Sequence, residues 1–203
     1  MLKHSRILVS TVVALACGCA VEAGEQPSEP LDSIEEAFLS GYWIGPISEE
    51  PEIHEGRCVN GFEGVSAAHC SGGYCDNNSL LCSPLPNRDV FSDFILPFGA
   101  PFYTSTISEE LPWNTASCRT DINRPAGMQG FVIGMWSSGA NSDNLSLICQ
   151  PARARYRNCR WTPYFSEEQG SQDFQAYLAN SYATGVRCKG KRCDQVSYEI
   201  CEL

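Results

Sequence analysis

The chain is short of cations, short of histidine and without a helical pattern in its body. Lys and Arg number 14 against 24 Asp and Glu, a net charge of −10. Nucleic-acid binding relies on a cationic surface, so that class is excluded. The basic stretch "RARYRNCR" and the Lys and Arg between 187 and 192 are local exceptions, read as solvated surface charge. Past the N-terminal segment no apolar run approaches the roughly 20 residues that cross a bilayer as a helix. No body segment keeps a 3.6-residue apolar period; "FQAYLANSYA" comes nearest, and its Asn and Tyr spoil the pattern. No "GDSGG" segment occurs, so the serine and backbone oxyanion hole of a trypsin-like protease are missing.

What is present begins with an export signal. Lys3 and Arg6 precede the apolar "ILVSTVVALA", and small residues follow. "ALAC" ending at Cys17 reads as a lipobox, in which the cysteine is lipidated; cleavage after Val21-Glu22-Ala23 is the alternative. Either route leads out of the cytosol, to secretion or to the cell envelope. The expected organisation is a signal over 1–23, an acidic flexible tether over 24–40 and a single β domain over 41–203. Of 12 cysteines, ten lie beyond the signal, an even number in an exported chain, which favours disulfides over metal. The C-x4-C and C-x6-C spacings suit zinc poorly, with only His54 and His69 to assist.

The body repeats three times. "WIGPISEE" (Trp43 to Glu50), "YTSTISEE" (Tyr103 to Glu110) and "WTPYFSEE" (Trp161 to Glu168) each run from an aromatic to a large apolar residue and Ser-Glu-Glu. Downstream come "CSGGYCDNNSLLC", "SSGANSDNLSLIC" and "CKGKRCDQVSYEIC", which align without a gap on Asp76, Asp143 and Asp194. The repeats span 41–82, 100–149 and 159–203. "LLC", "LSLIC" and "VSYEIC" are alternating runs after Gly-containing turns, so each unit reads as all-β, about four strands. Three such units are too few for a usual propeller. Three sheets facing one another about a pseudo-threefold axis, a β-prism-like arrangement, is the expected fold.

Equivalent positions should pair equivalently. Cys58 and Cys118 each lie ten residues after the Ser of Ser-Glu-Glu, where the third copy has Ala176; Cys82 and Cys149 each lie six after the acid. This predicts Cys58–Cys82 and Cys118–Cys149. The C-x4-C turns close as Cys70–Cys75 and Cys188–Cys193, with Ser137 and Ser142 at both places in copy two. Cys159 and Cys201 remain, to clamp the first and last strands of copy three.

"VSAAHC" fits the stretch around a trypsin-like catalytic histidine, but the repeat places His69 level with Trp136 and Arg187. A position that takes His, Trp and Arg is a variable surface side chain, and the protease reading is rejected. The repeated acids are Glu49, Glu50 and Asp76, then Glu109, Glu110 and Asp143, then Glu167, Glu168 and Asp194. Paired carboxylates could serve glycoside hydrolysis, and equivalent carboxylate sets could hold calcium. The favoured reading is structural, since an acid after a tight Gly turn accepts backbone N–H bonds and a turn must be built in every copy. Ser79, Ser146 and Ser197 read as strand residues. Trp43, Tyr103 and Trp161 are expected in the core. His69, Tyr74, Trp113 and Trp136 do not recur, two or more of them are expected on the Gly-turns, and they are the ligand-binding candidates.

The skeletons Gly72-Asp76-Asn77-Leu80-Cys82 and Gly139-Asp143-Asn144-Leu147-Cys149 resemble the repeat of vitelline membrane outer layer protein I, in outline over 41–203. The Ser-Glu-Glu openings and C-x4-C turns look closer to cysteine-rich repeat proteins of bacterial secretomes. "GMWSSGAN" is similar to repeated stretches of dermatopontin, a matrix protein. The egg-protein resemblance implies a β-prism of three Greek-key sheets, glycan association and marginal transfer activity on chitin-like oligosaccharides. The expected function is that of an exported, non-catalytic carbohydrate- or matrix-binding protein without a resident metal or cofactor. A glycoside hydrolase or transglycosylase using one carboxylate pair, and a purely structural envelope protein, are the alternatives. No nucleic-acid partner is expected, and membrane association only through a lipid on Cys17.

Overall fold

A computed structural model describes residues 41–48, 55–60, 62–72, 75–85, 99–108, 114–139, 144–153, 156–166, 173–175 (backbone alone) and 180–202. These all belong to the compact unit Asp32–Leu203. The expected signal and tether, with Cys17, lie outside the described residues, as do Glu49, Glu50, Tyr74, Glu109, Glu110, Trp113, Asp143, Glu167 and Glu168.

Each repeat supplies four strands. The first gives β1 (Tyr42–Ile47), β2 (Glu55–Arg57), β3 (Glu63–Ser71) and β4 (Asn77–Pro84). The second gives β5 (Phe102–Tyr103), β6 (Thr115–Ser117), β7 (Gln129–Ser138) and β8 (Asn144–Ala152). The third gives β9 (Arg157–Trp161), β10 (Asp173–Gln175), β11 (Ser181–Lys189) and β12 (Gln195–Glu202). Among the described residues there is no α-helix, and a 3-10 turn lies at Lys191–Cys193.

The strands form three antiparallel sheets, and none is built from one repeat alone. The first has the order β1-β4-β3-β10, the second β5-β8-β7-β2 and the third β9-β12-β11-β6. Every repeat keeps its first, third and fourth strands and donates its second to another sheet. The donations run in a circle: β2 to the second sheet, β6 to the third, β10 back to the first. This corrects the simple expectation of one sheet per unit. The central hairpins also share one irregularity. Register slips between Val65 and Ala67, between Val132 and Gly134, and between Ala183 and Gly185, leaving Ser66, Ile133 and Thr184 as equivalent bulges.

Alternation along the hairpins sends one face of each sheet inward. Strands β3, β7 and β11 pack pairwise against one another. Val65, Val132 and Ala183 share the core, as do Ala68, Met135 and Val186, and Leu80, Leu147 and Tyr198. The large apolar residue of each opening motif joins them: Ile47 and Ile107 are fully buried, and Phe165 stacks on Tyr198 with ring centroids 5.9 Å apart. The serines that follow, Ser48, Ser108 and Ser166, are buried as well.

The five disulfides are Cys58–Cys82, Cys70–Cys75, Cys118–Cys149, Cys188–Cys193 and Cys159–Cys201. The strand exchange gives two of them a role that spacing alone does not show. Cys58 follows β2 in the second sheet, where its N–H donates to the Ile133 carbonyl at 2.8 Å, while Cys82 sits in the first sheet. Cys118 follows β6 and donates to Thr184 of the third sheet at 2.8 Å, while Cys149 belongs to the second. These bonds therefore latch sheet to sheet. Cys159–Cys201 instead joins the neighbouring strands β9 and β12 of one sheet.

A polar clasp holds the corner after Cys58. Tyr42 Oη donates to Glu63 Oε2 at 2.7 Å, Asn60 Nδ2 donates to Glu63 Oε1 at 2.7 Å, and the Val59 N–H donates to Tyr42 Oη at 2.7 Å. Burial pushes the Glu63 carboxyl up, but the hydrogen bonds from Asn60 and Tyr42 outweigh it and hold the group below its ordinary value.

Candidate binding faces

The outward face of each hairpin carries one recurring construction. His69 lies opposite Ser79, Trp136 opposite Ser146, and Arg187 opposite Ser197. Their strand neighbours, among them Ala68, Cys70, Met135, Val186 and Cys188, point into the core, so these three side chains point out. On the adjacent edge strands Trp43 pairs with Leu81, Tyr103 with Ile148 and Trp161 with Glu199, each two residues along from the serine. An aromatic therefore stands diagonal to His69, to Trp136 and to Arg187 in turn.

The third face shows what this register does. The Arg187 guanidinium carbon lies 4.5 Å from the Trp161 ring centroid and 4.7 Å from that of Tyr164, and its Nε donates to Ser197 Oγ at 3.2 Å. Lys189 Nζ sits 4.0 Å from the Tyr164 centroid. The result is a strip of alternating rings and cations, Trp161, Arg187, Tyr164 and Lys189, held by cation–π attraction. Among the described residues no carboxylate pairs with Arg187 or Lys189. On the second face Tyr103 on β5 reaches across to β2, its Oη donating to Glu55 Oε2 at 2.8 Å. That bond, followed by partial burial, raises the phenol above its ordinary value.

Two expectations need correction. Trp43 is 48% exposed and Tyr103 45%, and Trp161 is only part-buried, so the opening aromatics are surface residues rather than core. Edge strands turn their outward side chains to solvent, and the core place in the same motif goes to Ile47, Ile107 and Phe165. His69 and Trp136 stand on strands β3 and β7, part-buried, and not on the Gly-turns.

The repeated acids that are described fold onto their own turns. Gly72 and Gly190 have φ of 74° and 78°, left-handed values that favour glycine. A Cβ on Gly72 would overlap Asp76 Oδ1, and one on Gly190 would overlap Asp194 Oδ1, so each carboxylate lies against its glycine. Asp76 Oδ1 also accepts from Asn77 Nδ2 at 2.9 Å. The strand serines bond to the opening segments: Ser146 Oγ is 3.0 Å from Thr106 Oγ1, and Ser197 Oγ donates to the Thr162 carbonyl at 2.7 Å.

Sequence reasoning missed a polar cluster on the third sheet. Arg119 pairs with Glu199 at 2.8 Å, and Glu199 Oε2 accepts from Thr184 Oγ1 at 2.8 Å. Ligand atoms of Cys159, Glu199 and Cys201 lie within 4.8 Å of one another, but both sulfurs are consumed by the disulfide. Arg119 comes from β6's repeat and meets Glu199 only because β6 is donated, so spacing carried no signal for the pair.

No protein-family model matches the chain, and neither a curated protein nor a solved structure matches it.

Proposed function

We propose that the protein is an exported, non-catalytic carbohydrate- or matrix-binding protein, a β-prism about a pseudo-threefold axis that holds its ligand on the outer faces of the sheets. The observation that carries this reading is the outward aromatic diagonal to His69, Trp136 and Arg187 at one shared register on all three sheets. Planar rings beside polar or cationic groups suit sugar rings, which have an apolar face and a hydroxyl rim. Related faces on one body allow several weak contacts with one polymer, which raises avidity without any tight site. The asymmetry among the faces matters too. Arg187 and Lys189, which pair with no carboxylate among the described residues, favour polymers bearing carboxylate or sulfate over neutral ones, despite the overall acidic chain.

Co-sedimentation with insoluble cell-wall, chitin and matrix polysaccharides tests the reading. Binding should survive a chelator, and Trp136→Ala combined with Arg187→Ala should release the protein while leaving the fold intact. Uniform failure of the wild-type protein to sediment with any of these polymers overturns it.

A further inference from the structure

The five disulfides are not equally reachable. Nine of the ten bonded cysteines are buried; Cys159 is the exception. It lies on β9, the edge strand of the third sheet, between exposed Arg157, Asn158 and Arg160. Its partner Cys201 is buried on β12, with Thr184 Oγ1 at 3.2 Å and Arg119 Nη1 at 3.6 Å from the sulfur. β9 and β12 are hydrogen-bonded neighbours already, so this bond latches no sheet to another.

We propose that Cys159–Cys201 is a thiol-exchange site, opened in the folded protein by a small anionic thiol. A thiolate RS⁻ attacks Cys159 Sγ from the solvent side. The bond between R–S and Cys159 Sγ forms as the bond between the two cysteine sulfurs breaks, and the electron pair departs on Cys201 as a thiolate. One disulfide replaces another, so no oxidant is needed. A second RS⁻ attacking the sulfur of the mixed disulfide that came from the thiol releases RSSR and leaves both cysteines reduced.

Two features favour this direction of attack. The part-buried cysteine is the one attacked, and the buried one leaves beside the Arg119 guanidinium, which stabilises a thiolate. Glu199 opposes that charge, but it is already paired with Arg119 at 2.8 Å. Exposed Arg157 and Arg160 raise the local concentration of an anionic attacker. The ring of sheets keeps both cross-sheet latches throughout, so the exchange is reversible without unfolding.

The test uses the oxidised, folded protein incubated with glutathione, a carboxylate-bearing thiol, then acid-quenched and peptide-mapped by mass spectrometry. The expected product is a single adduct on Cys159, a free thiol on Cys201 and the other disulfides intact. Cysteamine, a cationic thiol, should react more slowly at low salt, and added salt should narrow the gap. Arg119→Gln, which removes the cation beside the leaving sulfur, should slow exchange about threefold, with recovery in Arg119→Lys. Three results overturn the proposal: first adducts on another cysteine, adducts that form only as near-UV circular dichroism is lost, or persistent adducts in a folded Cys159→Ala/Cys201→Ala variant.

Discussion

Positions 176 and 200 offer a test of the ring of donated strands. Cys58 directly follows β2 and Cys118 directly follows β6, and each is bonded to the fourth strand of its own repeat. Residue 176 directly follows β10 and is Ala; Ile200, six residues after Asp194, occupies the place of Cys82 and Cys149. The third latch thus lacks both halves together. The separation between 176 and 200 is 24, the same as in Cys58–Cys82. Replacing both residues, Ala176→Cys with Ile200→Cys, should close a sixth disulfide. A loop of that length contributes about 3.5 kcal/mol on the chain-entropy estimate. Trimming the buried Ile200 side chain costs about 1.5 kcal/mol as a large-to-small core change. The net gain of about 2 kcal/mol corresponds to a rise of about 4–8 °C in Tm for a chain of this size. Non-reducing peptide mapping identifies the bond and differential scanning calorimetry reads the shift. If both new thiols stay free in a folded variant, the three donated strands are not equivalent and the circular exchange reasoning fails.

Three further outcomes follow from the same geometry. Removing a cross-sheet latch through Cys58→Ala/Cys82→Ala should cost about 3.5 kcal/mol, against about 2 kcal/mol for the short turn in Cys70→Ala/Cys75→Ala; equal losses in denaturant titrations would contradict the assigned roles. Gly134 of β7 runs under β2, where an added Cβ would overlap the Gly56 carbonyl oxygen and lie 2.9 Å from Arg57 Cα. Gly134→Ala should therefore destabilise by about 1–3 kcal/mol, an overpacking cost measurable by chemical denaturation. Glu63 ionises more readily folded than unfolded, so its contribution is fully present above the ordinary carboxyl range and is lost as pH falls through its lower folded value. The Tm difference between wild type and Glu63→Gln should be widest near neutrality and vanish in acid; a difference that grows on acidification would refute the sign.

Much of the local design was legible in the residues. The gapless match on Asp76, Asp143 and Asp194 already aligned His69 with Trp136 and Arg187, and the observed register places each opposite its equivalent serine. The all-β character and the disulfide pairs could be read because hairpins, tight turns and repeated spacings are determined by residues close together in the chain. The exposure of Trp43 and Tyr103 could not, since an aromatic beside a buried Ile47 or Ile107 looks the same in sequence whichever way its edge strand faces.

The sequence by itself determined three like units, their turns and which sulfurs correspond. Only the tertiary structure decided that every sheet borrows a strand. "EGR", "TAS" and "DFQ", the donated segments, share no pattern. Short edge strands are held chiefly through backbone N–H and C=O groups, which every residue but proline supplies in full, so their side chains carry little trace of the partner they join. The same exchange brings Arg119 to Glu199 and Cys201 from another repeat. That meeting depends on where a strand goes, which no local pattern records.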